Sequence, residues 1–127
     1  LKCYGIDSSE YAIKSSPSLV KEKLINASLL HIPFPTNFFD FSVCIDVLQE
    51  IPVKIIPAAI REINRVSKQS LIVLPAIKSE EKCERELFLN WSITAQTAKT
   101  KMEWQELLQE CGYTGYYSVF YIDLDIR

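Results

Sequence analysis

The chain has 127 residues, 48% hydrophobic and 24% charged, a balance that suits one water-soluble globule and excludes a disordered or fibrous chain. At this length roughly two-thirds of the unfolded surface is buried, enough for one core shared by a sheet and a few helices. With 14 basic against 16 acidic residues the net charge is -2, so the basic excess that neutralises phosphates is missing and no nucleic acid partner is expected.

In chain order, residues 2–7 read as a short strand ending in an acid, and Asp7-Ser-Ser-Glu10 resembles a capping box opening a helix through Ile13. Pro17 stops that helix. Residues 23–27 form a plausible second strand, followed by a loop punctuated by Pro33, Pro35 and Asn37. The near-continuous apolar run over residues 38–45 predicts a third strand covered on both faces.

Over residues 55–67 the apolar side chains Ile56, Ala59, Ile60, Ile63 and Val66 recur at helical spacing, with charged and polar residues between them. A buried strand over residues 70–74 follows, and Pro75, lacking a backbone donor, is expected to end it. Residues 80–91 return to a helical pattern, with Cys83, Leu87, Phe88 and Trp91 along one stripe. A last helix over residues 102–111 aligns Trp104, Leu107, Leu108 and Cys111, and Gly112 sits where a left-handed cap belongs. Residues 116–124 are β-rich, as one strand or the second arm of a hairpin, and their aromatic side chains are expected to pack on the sheet.

This order describes an α/β fold: a Rossmann-like, mostly parallel sheet with right-handed crossovers and helices on both faces, forming one domain over residues 1–127. No apolar stretch approaches the roughly 20 residues that span a bilayer, so no membrane partner is expected. No secretory signal is visible, and the four cysteines stand far apart without a C-x-x-C pair, so a cytoplasmic, reducing setting is expected. Neither a metal-ligand cluster nor a G-x-S-x-G nucleophile elbow is present, and the one histidine, His31, reads as a loop residue rather than a base.

In parallel α/β sheets small ligands bind beyond the carboxyl ends of the strands, which points to the residues after Asp7, Ala27, Ile45 and Leu74. An ionised Asp7 there accepts both hydroxyl hydrogens of a ribose or, equally, caps the following helix. Cys44, inside an apolar stretch, reads as a small buried residue.

Tyr4-Gly-Ile-Asp-Ser-Ser9, the stretch Ile32-Pro-Phe-Pro-Thr-Asn-Phe-Phe-Asp-Phe-Ser-Val43, Asp46-Val-Leu-Gln-Glu-Ile51, Ala59-Ile-Arg-Glu-Ile-Asn-Arg-Val66 and the helix from Trp104 to Tyr113 occur together in this order. In that combination the chain resembles the class I S-adenosylmethionine-dependent methyltransferases, especially the small-molecule branch called type 11. The resemblance implies a methyl transfer from S-adenosylmethionine to a small-molecule acceptor, in which positioning supplies the catalysis. It places Asp7 with Ser8 at the ribose, Ser28, Leu29 and Ile32 at the adenine, and Cys44, Asp46 and Leu48 at the methionine end. Asp46 and Glu50 are the acids nearest to an acceptor and the candidates for proton removal.

Two departures stand out. Ser28 replaces the acid that such proteins usually carry at the adenine, and the family's first strand, glycine-rich loop and first helix have no counterpart, since the three glycines form no G-x-G. The expectation is therefore an N-terminally truncated domain, inactive alone and active in a longer form, whose exposed strand edges allow self-association. The alternative is a non-catalytic, methyltransferase-like module retained for binding or assembly.

Overall fold

The computed structural model describes residues 2–122. Five strands and five α-helices follow one another as β1 Gly5–Asp7, α1 Glu10–Lys14, α2 Ser18–Lys21, β2 Leu24–Asn26, β3 Phe39–Ile45, α3 Ile56–Val66, β4 Ser67–Ala76, α4 Lys82–Trp91, α5 Lys101–Glu110 and β5 Tyr116–Tyr121. Two 3-10 turns, Leu48–Glu50 and Val53–Ile55, connect β3 to α3.

All pairing is parallel. β1 lies beside β2 with Asp7 opposite Asn26, and β3, β4 and β5 form a second sheet in that order. The α/β class and parallel topology are those the sequence pattern implies. β5 is a parallel partner of β4 over residues 116–121, so it is no hairpin arm; the end of the expected strand, at Leu124, lies outside the described residues.

One face of the larger sheet makes the core. Cys44, Ile72, Leu74 and Ala76 pack with Ile56, Ala59, Ile60, Ile63 and Val66 of α3 and with Trp104 and Leu108 of α5. The indole Nε1 of Trp104 donates to the buried Pro75 carbonyl at 2.9 Å, which joins α5 to the end of β4. The opposite face carries Phe41, Val43 and Ile45 of β3, which the register aligns with Gln69, Leu71 and Val73. Val43 and Ile45 are 55% and 56% exposed, so β3 is covered on one face rather than two among the described residues. The aromatic residues of β5 are likewise exposed, and only Phe88 of the expected α4 stripe is buried.

Pro75 continues β4 instead of ending it. The β3 ladder stops at Ile45 opposite Val73, so Pro75 has only β5 as a neighbour and its missing N–H leaves no β3 carbonyl unpaired. Helix α1 starts two residues later than a cap at Asp7 requires. Ser9 is the N-cap, its hydroxyl accepting from the Ala12 N–H, while Asp7 Oδ1 accepts from the Ser9 N–H at 2.8 Å.

Candidate functional site

The carboxyl ends of β1 and β2 come together through main-chain bonding. The Ala27 N–H donates to the Asp7 carbonyl at 3.1 Å, and the Asn26 side-chain amide bridges the carbonyls of Asp7 and Ser8 at 3.4 and 3.3 Å. Asp7, Ser8 and Ser28 are thus neighbours, and all three are exposed. Since Ser9 N–H engages only Oδ1, the other Asp7 carboxylate oxygen remains open to a hydroxyl donor among the described residues. The Ser28 hydroxyl accepts from the Leu30 N–H at 3.0 Å, a turn contact that occupies part of its acceptor capacity.

Leu29 and Ile32 line the loop that follows. Leu29 is half-buried against the core and Ile32 is buried within it. Two residues of α3 hold this loop: Glu62 Oε2 accepts the Ile32 N–H, and Arg65 donates to the Ile32 and Phe34 carbonyls. Nothing in the residue types of the loop itself announced this clamp, but the Glu62 and Arg65 pair was visible at i, i+3 spacing on a helix.

At the end of β3 Cys44 is buried, and desolvation pushes its thiol up to about 11. Leu48 is wholly buried and serves packing. Asp46 is exposed, donates its N–H to the Val73 carbonyl at 3.0 Å, and takes a left-handed conformation with φ 59°. The Gln49 amide donates to Asp46 Oδ1 at 2.6 Å and to the Asp46 carbonyl at 3.1 Å. Gln49 is the site residue that sequence reasoning missed; its place three residues after a strand-ending acid was the available signal. Glu50 accepts from the Thr94 hydroxyl at 2.8 Å, so this acid is tied to the segment before α5.

The structure therefore assembles Asp7, Ser8 and Ser28 at one strand end and Asp46, Gln49 and Glu50 at another, with no hydrogen bond joining the two groups among the described residues. A cleft of about 450 Å³ opens at the carboxyl ends of β4 and β5, lined by Lys78, Ser79, Lys101, Met102 and Tyr121 among others. Neither Asp7 nor Asp46 lines it. Among the described residues no helix is long and apolar enough to cross a membrane.

Exposed carboxylates at the ends of parallel strands suit a ligand bearing hydroxyl and amino donors. Comparison with known proteins bears on the fold and the family. The fold matches a crystal structure from Bacillus halodurans, BH2331, assigned as a methyltransferase, with a TM-score of 0.72 and 18% identity over 87% of this chain and 53% of that one. It also matches the YcgJ protein of Bacillus subtilis with a TM-score of 0.67 and 21% identity, over 87% of this chain and 51% of that one. An uncharacterized protein of Methanocaldococcus jannaschii, MJ0638, is 31% identical over 75 residues, which are 58% of this chain and 32% of that protein. The chain thus spans about a third of its curated relative and about half of each solved one. A family model described as a methyltransferase domain matches residues 1–73, more than half of the sequence, and on that match and this fold the chain belongs to the methyltransferase-domain family.

Proposed function

We propose that this chain contributes the nucleoside-binding strand ends of an S-adenosylmethionine-dependent methyltransferase acting on a small molecule, and that a longer polypeptide is the active form. The observation that carries the reading is the exposed Asp7 carboxylate at the end of β1, with one oxygen fixed by Ser9 and its main chain tied to Ala27. That geometry suits a ribose diol: an ionised carboxylate held in place accepts two hydroxyl hydrogens without further reorganisation.

The residues present fit the nucleoside side of this donor. Asp7 and Ser8 meet the ribose, while Ser28, Leu29 and Ile32 border the purine. When bound, the donor supplies a sulfonium-activated methyl carbon. Asp46 and Glu50 stand at the end of β3, where Asp46 orients the donor's amino acid end and either acid takes a proton from the acceptor. Each carboxylate is held by one neighbour, Glu50 by the Thr94 hydroxyl and Asp46 by the Gln49 amide. Four free cysteines accord with a cytoplasmic setting.

Isothermal titration with S-adenosylmethionine tests the proposal. The complete polypeptide should bind with micromolar affinity and lose most of it on Asp7→Ala, while residues 1–127 alone should bind weakly or not at all. Absence of binding by the complete polypeptide, or full affinity in Asp7→Ala, overturns it. A non-catalytic module is the second reading, favoured by the Ser28 hydroxyl, which is neutral and already bonded to Leu30. Under that reading the complete polypeptide binds no donor.

A further inference from the structure

We infer that Gln49 is a positioning residue: its side-chain amide locks Asp46 into a left-handed turn at the end of β3 and fixes the direction of the Asp46 carboxylate. The inference rests on the reading of Asp46 as a donor-facing or acceptor-facing acid.

Among the described residues two non-glycine residues have positive φ, Asn37 at 57° and Asp46 at 59°. Any residue with a Cβ is disfavoured there, so each needs a local reason. Asn37 lies in a proline-rich turn, is of a type that tolerates this conformation, and donates its N–H to the Arg65 carbonyl at 2.8 Å. Asp46 is different, because it ends a regular strand whose ladder its own N–H still continues to Val73. Aspartate also tolerates this conformation, and a two-point contact from Gln49, to the carbonyl at 3.1 Å and to Oδ1 at 2.6 Å, holds it there.

The environment of Gln49 shows that this contact dominates its orientation. The residue is 5% exposed, and both amide hydrogens go to Asp46. Its Oε1 is buried without a hydrogen-bond partner. Turning the amide over would set Oε1 against two acceptors of Asp46, so the donors stay on Asp46 and the oxygen goes unpaired. The main chain of Gln49 is held as well. Its carbonyl accepts from the N–H groups of Gln96 and Thr97 at 2.8 and 3.0 Å, and the next two carbonyls accept from the side chains of Gln96 and Thr97. Gln49 therefore links the direction of Asp46 to the segment that leads into α5 and the Lys101 side of the cleft.

Four proteins test this: the parent, Gln49→Met, Asp46→Gly and the double variant. Methionine keeps the volume and removes the donors, whereas glycine takes positive φ without a clamp. In hydrogen exchange of residues 1–127, Gln49→Met should speed the amide of residue 46 by about tenfold, the factor a charge-assisted hydrogen bond supplies. The Trp104 amide should not change. Gln49→Glu, which puts an oxygen against Asp46, should act in the same direction and replaces the methionine variant if that one does not fold. In the complete polypeptide, Gln49→Met should weaken S-adenosylmethionine binding about tenfold, yet by less than about twofold in the Asp46→Gly background, since the two residues act through one contact. Unchanged exchange at residue 46, equal acceleration at Trp104, or equal loss of affinity in both backgrounds overturns the inference. If no protein of the set binds the donor, the methyl-transfer reading fails, while the exchange comparison still decides the role of Gln49.

Discussion

Glu62 and Arg65 lie one turn apart on α3 and hold the same loop by opposite polarity. Glu62 Oε2 accepts the Ile32 N–H at 2.8 Å, while Arg65 donates to the Ile32 carbonyl at 3.0 Å and to the Phe34 carbonyl at 2.9 Å. The two side chains also bond each other at 2.6 Å. A loop with two prolines, Pro33 and Pro35, and little regular structure thus has its polar main chain satisfied by the helix it packs against.

Glu62→Ala should lower stability by about 1–3 kcal/mol, because it strands the Ile32 N–H and one face of the Arg65 guanidinium. The Arg65 hydrogen bond, with help from the Ile32 N–H, holds the Glu62 carboxyl below the usual carboxylate range. The folded form therefore binds its proton more weakly than the unfolded form does. The contribution is complete above the unfolded carboxylate pKa and is lost as pH falls through the lower folded value. Urea unfolding of the parent and of Glu62→Gln should show a gap in stability at pH 7 that narrows in acid. A gap that is constant with pH would show that the charge on Glu62 contributes nothing.

Trp104 is the largest side chain that is wholly buried, and its Nε1 holds the Pro75 carbonyl. Trp104→Phe should cost about 2–4 kcal/mol, combining an unpaired buried carbonyl with a small cavity under β4. Thermal unfolding measures this. A loss well under 1 kcal/mol would mean that water or a neighbouring donor reaches the carbonyl.

Glycines 112 and 115 should fail for different reasons. Gly112 has φ 67° and nothing within 4 Å of an added Cβ, so Gly112→Ala should cost about 1 kcal/mol of backbone strain and Gly112→Asn less. At Gly115 an added Cβ meets the hydroxyls of Tyr113 and Ser70, which bond each other at 2.9 Å. Gly115→Ala should cost about 1–3 kcal/mol, relieved in part by Tyr113→Phe, which removes the tyrosine oxygen while the ring and the Ser70 hydroxyl stay. Equal behaviour of the two alanine variants in the Tyr113→Phe background would contradict this division.

How far the sequence alone revealed these features depended on how local their causes are. Helix α3 was legible because its apolar residues repeat at 3.6 spacing and all five are buried. The Thr100–Glu103 capping box that begins α5 is equally local, yet the reading of a helix over residues 102–111 passed over it and began one residue late. The full length of β4 was hidden, since whether Pro75 breaks a strand depends on where its neighbour β3 ends. The same is true of the bare face of β3, whose apolar run fixes its composition and not what covers it. In the candidate site Asp7 and Asp46 were singled out by their position after strands, whereas the spacing of Gln49 from Asp46 hinted at their contact without stating the backbone angle it requires.

Cysteine reactivity gives a check on the core that needs no ligand. Cys3 and Cys83 are exposed, whereas Cys44 is buried between the sheet and its helices, where desolvation pushes the thiol up to about 11. At pH 8 an aromatic disulfide reagent should modify Cys3 and Cys83 quickly and Cys44 only on unfolding, because the thiolate is the attacking species and burial removes both charge and access. The sign for stability follows from the same shift. A thiol that stays protonated in the fold, while its unfolded counterpart ionises near its ordinary value of about 8.5, favours the fold below that value. This advantage is lost as pH rises from there toward the folded value. Cys44→Ala should therefore be less stable than the parent at pH 7 through lost packing, with the difference shrinking in alkali. Rapid labelling of Cys44 in the folded protein would place that side chain outside the core and remove the packing of β3 on α3.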